Sequence, residues 1–260
     1  MKPILFSIGG FPIRSYGLMI ALGVVLGMSL AARIARKRLP GREEQVYDFA
    51  VYAVLAAIAG SRLWEVAFTW DYYGKHPGEI LALWHGGLSI QGGILGGLLV
   101  AIWFARSRKI EFWPFADVLA PGVILGQAIG RVGCLLNGDA YARPTGSDWW
   151  GVIYQPGTPA YQVYGAQRLW PAETMEGIWD LIVLALLLRL LRGKRPDGTV
   201  TLAYATLYSV GRFGLEFLRT DSLGFLGSGF KTAQLASLAT IAVAGLLLIH
   251  RAGRKTEGAG

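Results

Sequence analysis

The sequence predicts an all-α integral membrane protein with seven transmembrane helices, the N-terminus outside, the C-terminus in the cytoplasm, and a small extracytoplasmic cap. Three observations predict it. The 260 residues are 53% hydrophobic and 16% charged, with a mean hydropathy of +0.42, whereas a soluble domain carries about 25% charged residues. Seven apolar stretches approach the roughly 20 residues that a spanning helix needs. Lys and Arg are dense on alternate connections, as membrane orientation requires. A disordered chain is excluded by the hydrophobicity. The single cysteine leaves no disulfide framework and no zinc cluster, and no metal or cofactor is expected. The net charge of +8 does not mark a nucleic-acid binder, because the basic residues sit in short clusters between apolar runs.

The spans are expected near residues 15–35, 46–69, 88–105, 112–136, 172–191, 200–218 and 232–250. The first has no basic run before it and is followed by Arg33, Arg36, Lys37 and Arg38, so it reads as a retained anchor rather than a cleaved signal. Between the fourth and fifth spans, residues 138–170 form the cap. Its Tyr141, Trp149, Trp150, Tyr154, Tyr161, Tyr164 and Trp170 suit a membrane–water interface. No internal repeat appears, and residues 1–260 are expected to form one domain. Fifteen Lys and Arg fall on the side of the C-terminus and seven on the other, and the heavier side should be cytoplasmic.

Three arginines remain, Arg62, Arg131 and Arg212, all inside predicted spans. An arginine at the bilayer centre costs at least about 2.5–3.5 kcal/mol, so each needs a partner, a wet cavity or an anionic ligand. Arg62 lies three residues before Glu65 and Arg212 four before Glu216, both spacings of helical neighbours. Arg131 has no acid at that spacing and must find its partner elsewhere. Gln127, Arg131 and Cys134 share a helix face, as do Arg212, Glu216 and Arg219. Cys134 reads as a small buried hydrophobe rather than a nucleophile.

The third span opens on a glycine-rich run from Trp84 to Gly97. Gly92/Gly96 and Gly93/Gly97 have the spacing of close helix packing. That spacing leaves Gly86, Gly87, Ser89 and Gln91 unexplained. A glycine-rich helix entry can present backbone N–H groups to an anion.

These motifs together resemble the prolipoprotein diacylglyceryl transferase family over nearly the whole chain. The resemblance rests on Ser15-Tyr16-Gly17-Leu18-Met19, the WxGGLSxxGG run from Trp84 to Gly93 and GRxGxxxNG from Gly130 to Gly138. It extends to Arg212-Phe213, Glu216-Phe217, Arg219, Gln234 and Ser237. It implies an enzyme of the bacterial inner membrane that moves an sn-1,2-diacylglyceryl group from phosphatidylglycerol to the lipobox cysteine of a prolipoprotein signal peptide. The product would be a thioether, with release of glycerol 1-phosphate. Besides those two substrates, the partners implied are membrane lipids, and no nucleic acid. On this resemblance Arg131 and Arg212 match the family's two essential arginines. Glu216, Asn137, Tyr16 and Gln91 complete the catalytic set, and Gly86, Gly87, Ser89, Arg219 and Asp139 join the arginines in binding phosphatidylglycerol.

The sequence departs from the family pattern at several places. Gln91 stands where histidine or tyrosine is common, Cys134 for asparagine, Asp139 for glutamate and Ala142 for glycine. Trp170-Pro171-Ala172-Glu173 replaces His-Pro-x-Gln. Glutamine cannot act as a base at neutral pH, which favours one rival reading, a relative that binds or moves anionic lipid without chemistry. A small-anion channel or transporter is a further rival, disfavoured by the absence of repeats and by only three intramembrane arginines. His85 reads as an interface residue.

Overall fold

The structure is a computed structural model describing residues 3–9, 11–220, 224 and 230–257. Lys2 of the charge count and Asp221 lie outside the described residues, as do the side chains of His85, Arg254 and Lys255. Among the described residues the regular structure is helical apart from isolated bridges and one antiparallel hairpin, β1 (Ile4–Ile8) with β2 (Phe11–Arg14), which hydropathy did not foreshadow. The helices in chain order are α1 (Ser15–Arg38), α2 (Glu43–Phe68), α3 (Trp70–Tyr73), α4 (Ile90–Ser107), α5 (Phe112–Asn137), α6 (Pro159–Tyr164), α7 (Ala172–Leu190), α8 (Thr199–Leu215) and α9 (Thr232–Glu257).

Every expected span is occupied by a helix. Five of them, α1, α2, α4, α5 and α9, are long and apolar enough to cross a membrane. The other two fall short for physical reasons: α7 carries Glu173, Glu176 and Asp180, and α8 has 17 residues. Large apolar side chains such as Leu98, Trp103, Leu246 and Ile249 face outward on α4 and α9. A soluble surface rarely tolerates such patches, and this is a membrane protein.

The chain divides into two compact units, Met1–Ala31 with Asp117–Gly260, and Ala32–Ala116. In the first, α1 and α5 cross through glycine. A Cβ at Gly27 would lie 2.4 Å from the Gly122 carbonyl, and one at Gly23 would lie 2.9 Å from that of Gly126. A core of Ala120, Ile124, Val183, Leu187 and Val200 joins α5, α7 and α8. The Asp117 carboxylate accepts from Gly198 N (2.7 Å), Thr201 N (2.8 Å) and Thr201 Oγ1 (2.7 Å), which meets the unpaired N–H groups at the start of α8. Trp179 of α7 sits over Gly211 and donates from Nε1 to the Leu207 carbonyl at 2.9 Å.

The connection 138–170 belongs to this unit and is folded. Tyr154, Ala160 and Leu169 form its own small core, ringed by Tyr141, Val152, Tyr161 and Tyr164. The aromatics thus divide: Tyr154 is buried, while Trp149 is exposed. Gly138 turns out of α5 with φ +71°, and a Cβ there would lie 2.5 Å from Thr158 Cβ.

In the second unit α2 and α4 pack through small residues. A Cβ at Gly92 would lie 2.1 Å from the Gly60 carbonyl, and one at Gly96 would lie 2.4 Å from that of Ala56. Gly93 meets Ser61 Oγ, but Gly97 faces open space, so the packing reading explains three of the four glycines. Phe49, Phe104 and Phe115 close the other end of this unit.

Candidate active site

In the larger unit, Arg131 projects from α5 toward α7. It fits there because Gly177 has no side chain: a Cβ would sit 3.3 Å from Arg131 Cβ. The partner that Arg131 lacks in its own helix is Glu176, which is almost fully buried and accepts from Arg131 Nη2 at 2.6 Å. Two more guanidinium groups face the other oxygen of the same carboxylate. Arg212 Nη1 and Arg219 Nη1 each lie 3.8 Å from Glu176 Oε2. Tyr208 OH donates to Oε1 at 3.4 Å. The expected Arg212–Glu216 pair is present, with Nη2 2.8 Å from Oε2 and Glu216 fully buried.

The chain places these groups by ending α8 at Leu215, three residues before the expected end of the span. The last turn tightens, with Phe217 N bonding to Gly214 O and Leu218 N to Leu215 O. Lys231 Nζ then staples the turn by donating to the carbonyls of Glu216 (2.7 Å) and Arg219. The Ala142–Arg219 bridge ties it to the cap. Arg212, Glu216 and Arg219 therefore converge although only the first lies within the helix.

Three guanidinium groups thus meet around Glu176, with Glu216 beside Arg212. Asp180 and Glu173 also lie within electrostatic reach of Arg131 and Arg219 respectively, as burying like charges together requires compensation. Guanidinium forks match the oxygens of a phosphate.

The other predicted residues of this unit lie around the same elements. Asn137 Nδ2 donates to Asp139 Oδ2 at 2.7 Å across the Gly138 turn. Tyr16, in the first turn of α1, packs toward Gly133, where a Cβ would lie 3.2 Å from its ring. Gln127 Oε1 accepts from Tyr204 OH at 3.0 Å, one helical turn from Arg131. Gln234 and Ser237 are buried, with Gln234 Oε1 accepting from Lys231 N and Ser237 Oγ bonded to the Ala233 carbonyl. At the cap, Tyr154 OH donates to Glu173. Burial, and then the Glu173 carboxylate, raise the Tyr154 phenol above its ordinary pKa.

In the smaller unit the expected Arg62–Glu65 pair gives way to a different arrangement. Arg62 Nε donates to Ile80 O (2.8 Å), Nη1 to Gly86 O (2.7 Å) and Gly87 O (2.8 Å), and Nη2 to Glu79 O (2.5 Å) and Ala82 O (3.5 Å). The Tyr73 ring lies 4.9 Å from its guanidinium carbon. Carbonyls outcompete Glu65 because five of them, fixed in one loop, match all five donors of the fork. This also explains Gly86 and Gly87. Their φ values are +87° and +71°, and a Cβ at Gly87 would lie 2.7 Å from Arg62 Nη1. The pair turns carbonyls onto a cation, which is the opposite polarity to the anion-binding entry expected there. Ser89 Oγ donates to Gln91 Oε1 at 2.5 Å, and Gln91 is exposed.

Glu176, Lys231 and the Tyr154–Glu173 pair are not singled out by a search for unpaired arginines. The signal for Glu176 was present: Glu173, Glu176 and Asp180 sit at helical spacing inside an otherwise apolar stretch.

Residues 3–250 match the family described as prolipoprotein diacylglyceryl transferase. This chain belongs to that family. A phosphatidylglycerol–prolipoprotein diacylglyceryl transferase of Synechococcus elongatus is 43% identical over 256 residues, covering 95% of this chain and 87% of that protein. One from Acaryochloris marina is 40% identical over 243 residues, covering 93% and 87%. One from Bacillus velezensis is 36% identical over 253 residues, covering 96% and 92%. Membership of the prolipoprotein diacylglyceryl transferase family makes the chain a transferase of lipoprotein biosynthesis.

Proposed function

We propose that this chain transfers the sn-1,2-diacylglyceryl group of phosphatidylglycerol to the lipobox cysteine of a prolipoprotein signal peptide. The thiol sulfur bonds to the glyceryl carbon, and the bond from that carbon to the phosphate oxygen breaks. The electron pair leaves with glycerol 1-phosphate, and the thiol proton is released. Charge therefore grows on the phosphate as the reaction proceeds, from monoanionic diester toward dianionic monoester. Fixed cations at that place stabilise the transition state more than the ground state.

The observation that carries this reading is the convergence of Arg131, Arg212 and Arg219 on one buried carboxylate, with Arg212 Nη1 left without a hydrogen-bond acceptor. Arg131 and Arg212 hold the phosphate, and Glu216 orients Arg212. Asn137, Asp139 and Tyr16 shape the site at the ends of α5 and α1. Arg219 adds charge from the turn after α8. Gly86, Gly87, Ser89 and Gln91 are assigned to substrate on the family's motif alone. A free thiol with a pKa near 8.5 is more reactive as thiolate, and nearby guanidinium groups favour that form without a histidine.

In the same reading one transmembrane domain spans residues 1–260 and crosses the bacterial inner membrane seven times, with the cap 138–170 outside. The support is the charge split and the carboxylates of α7, which are buried instead of facing lipid, Glu176 against arginines and Glu173 against Tyr154. The names of the relatives favour transfer over lipid binding alone or anion transport.

The test uses the full chain in phosphatidylglycerol vesicles with a synthetic lipobox peptide. The peptide should gain the mass of one diacylglyceryl group on its cysteine, and only when phosphatidylglycerol is present. A peptide that stays unmodified while the protein is folded contradicts the proposal.

A further inference from the structure

The cap reaches the arginine cluster at Arg219 by two routes. One is backbone: Ala142 bridges to Arg219, Arg143 N donates to Leu218 O at 2.9 Å, and Trp170 N donates back to Arg143 O at 3.1 Å. The other runs through side chains. Tyr154, which forms the core of the cap with Ala160 and Leu169, donates its hydroxyl to Glu173 Oε1. Glu173 stands in the first turn of α7, three residues before Glu176, so the two carboxylates are neighbours on one helix face. Both are almost fully buried.

Arg219 is within reach of both carboxylates. Its Nη1 lies 3.8 Å from Glu176 Oε2, and its charge acts on Glu173 as well. Asp139, beside the Gly138 turn, and the backbone N–H of Glu173 act on the same carboxylate. Glu173 Oε1 is engaged by the Tyr154 hydroxyl, while Oε2 is buried and has no side-chain donor among the described residues. In a buried site the field of a carboxylate is weakly screened. A donor on one of its oxygens offsets part of that field. The Tyr154 hydroxyl therefore weakens the pull of Glu173 on Arg219.

We propose that Glu173 and Tyr154 are positioning residues that set the affinity for the lipid donor through Arg219. Glu173 competes with the donor phosphate for the Arg219 guanidinium, and the cap hydroxyl of Tyr154 tempers that competition. The inference rests on the transfer reading above, in which Arg219 binds phosphatidylglycerol. The two side chains then act with opposite signs. Removing the charge of Glu173 leaves Arg219 to Glu176 and the phosphate. Removing the hydroxyl of Tyr154 keeps that charge and gives Arg219 a second oxygen to pair with.

The experiment measures KM for phosphatidylglycerol and kcat separately, with the full chain in phosphatidylcholine vesicles of graded phosphatidylglycerol content and a lipobox peptide. Glu173→Gln keeps an acceptor for the Tyr154 hydroxyl and removes the charge, and should lower KM about 3–10-fold. Tyr154→Phe keeps the ring in the cap core, and should raise KM by up to about tenfold, the scale of one hydrogen bond to a charged group. In both variants kcat should change less than about threefold, the pattern of altered ground-state binding. In the Glu173→Gln background, Tyr154→Phe has no charge to release and should change KM by less than about twofold. A tyrosine that only fills the cap costs the same in both backgrounds, and that result overturns the proposal. So does a KM of Glu173→Gln at or above wild type, which decides the matter if Tyr154→Phe does not insert. A wild type that transfers nothing sinks the transfer reading itself, which is a different outcome.

Discussion

Arg62 and Arg212 are both arginines in apolar helices, and the two units of the chain treat them in opposite ways. Arg62 donates every N–H to the backbone carbonyls of one loop. Arg212 faces two carboxylates and keeps Nη1 without a hydrogen-bond acceptor. A guanidinium whose five donors are saturated by neutral carbonyls can order a loop but has nothing left for a ligand. One set against carboxylates can exchange an internal anion for an external one. Intramembrane arginine alone therefore does not identify a binding site. The partners' chemistry and the donors left over do.

The largest expected effect is on catalysis. Arg131→Ala or Arg212→Ala should lower the transfer rate by about 10²–10³ or more, the usual cost of one stabilising donor, with the protein still inserted. Arg62→Ala should act on folding instead. The loop of residues 79–87 loses the guanidinium that ties its carbonyls together, and among the described residues only Glu79 O keeps a backbone donor, from Ala82 N. An unsatisfied buried group costs about 1–3 kcal/mol, so the thermal midpoint in detergent should drop. Arg62→Lys should rescue little, because one ammonium has three donors and no fork. A folded Arg62→Ala protein with a normal midpoint would erase the contrast between the two arginines.

Next comes the helix contact that carries the Arg62 loop. Gly92→Ala places a methyl 2.1 Å from the Gly60 carbonyl and should destabilise by about 1–3 kcal/mol. Gly97→Ala meets open space and should be neutral or stabilising by up to about 1 kcal/mol through helix propensity. Thermal midpoints of the two variants give the comparison directly.

The smallest expected effect is at Gln91. If the arginine cluster supplies most of the catalysis, Gln91→Ala should cost less than about tenfold, below the 10²–10⁴ range of a general base. The wild-type pH–rate profile should then show no limb near the histidine value of about 6.5. An inactive wild type revived by Gln91→His would reverse that order of importance.

Much of the fold was legible because hydropathy and charge act over whole segments. Each expected span became a helix, within about three residues at each end except that α9 runs on to Glu257. The hairpin β1–β2 was not, since its few residues carry no long-range pattern and its pairing is local. For the site, the Arg212–Glu216 pair was readable because helical spacing fixes it. The Arg62–Glu65 pair was misread by the same rule, because spacing does not reveal a loop of carbonyls contributed from residues 79–87. Glu176 meets Arg131 across 45 positions of sequence. Only tertiary packing makes that contact, and counting buried acids as well as buried arginines would have named the partner.

The proposed role of Arg212 is to bind and stabilise the phosphate of the lipid donor. The most direct measurement is the transfer rate per folded molecule of Arg212→Lys in phosphatidylglycerol vesicles. Lysine keeps the charge and loses the fork that reaches both Glu216 and a phosphate oxygen. A fall in kcat of at least about tenfold is expected, since planar two-donor recognition is not replaced by a point charge, with a thermal midpoint near wild type. A rate within twofold of wild type would contradict it.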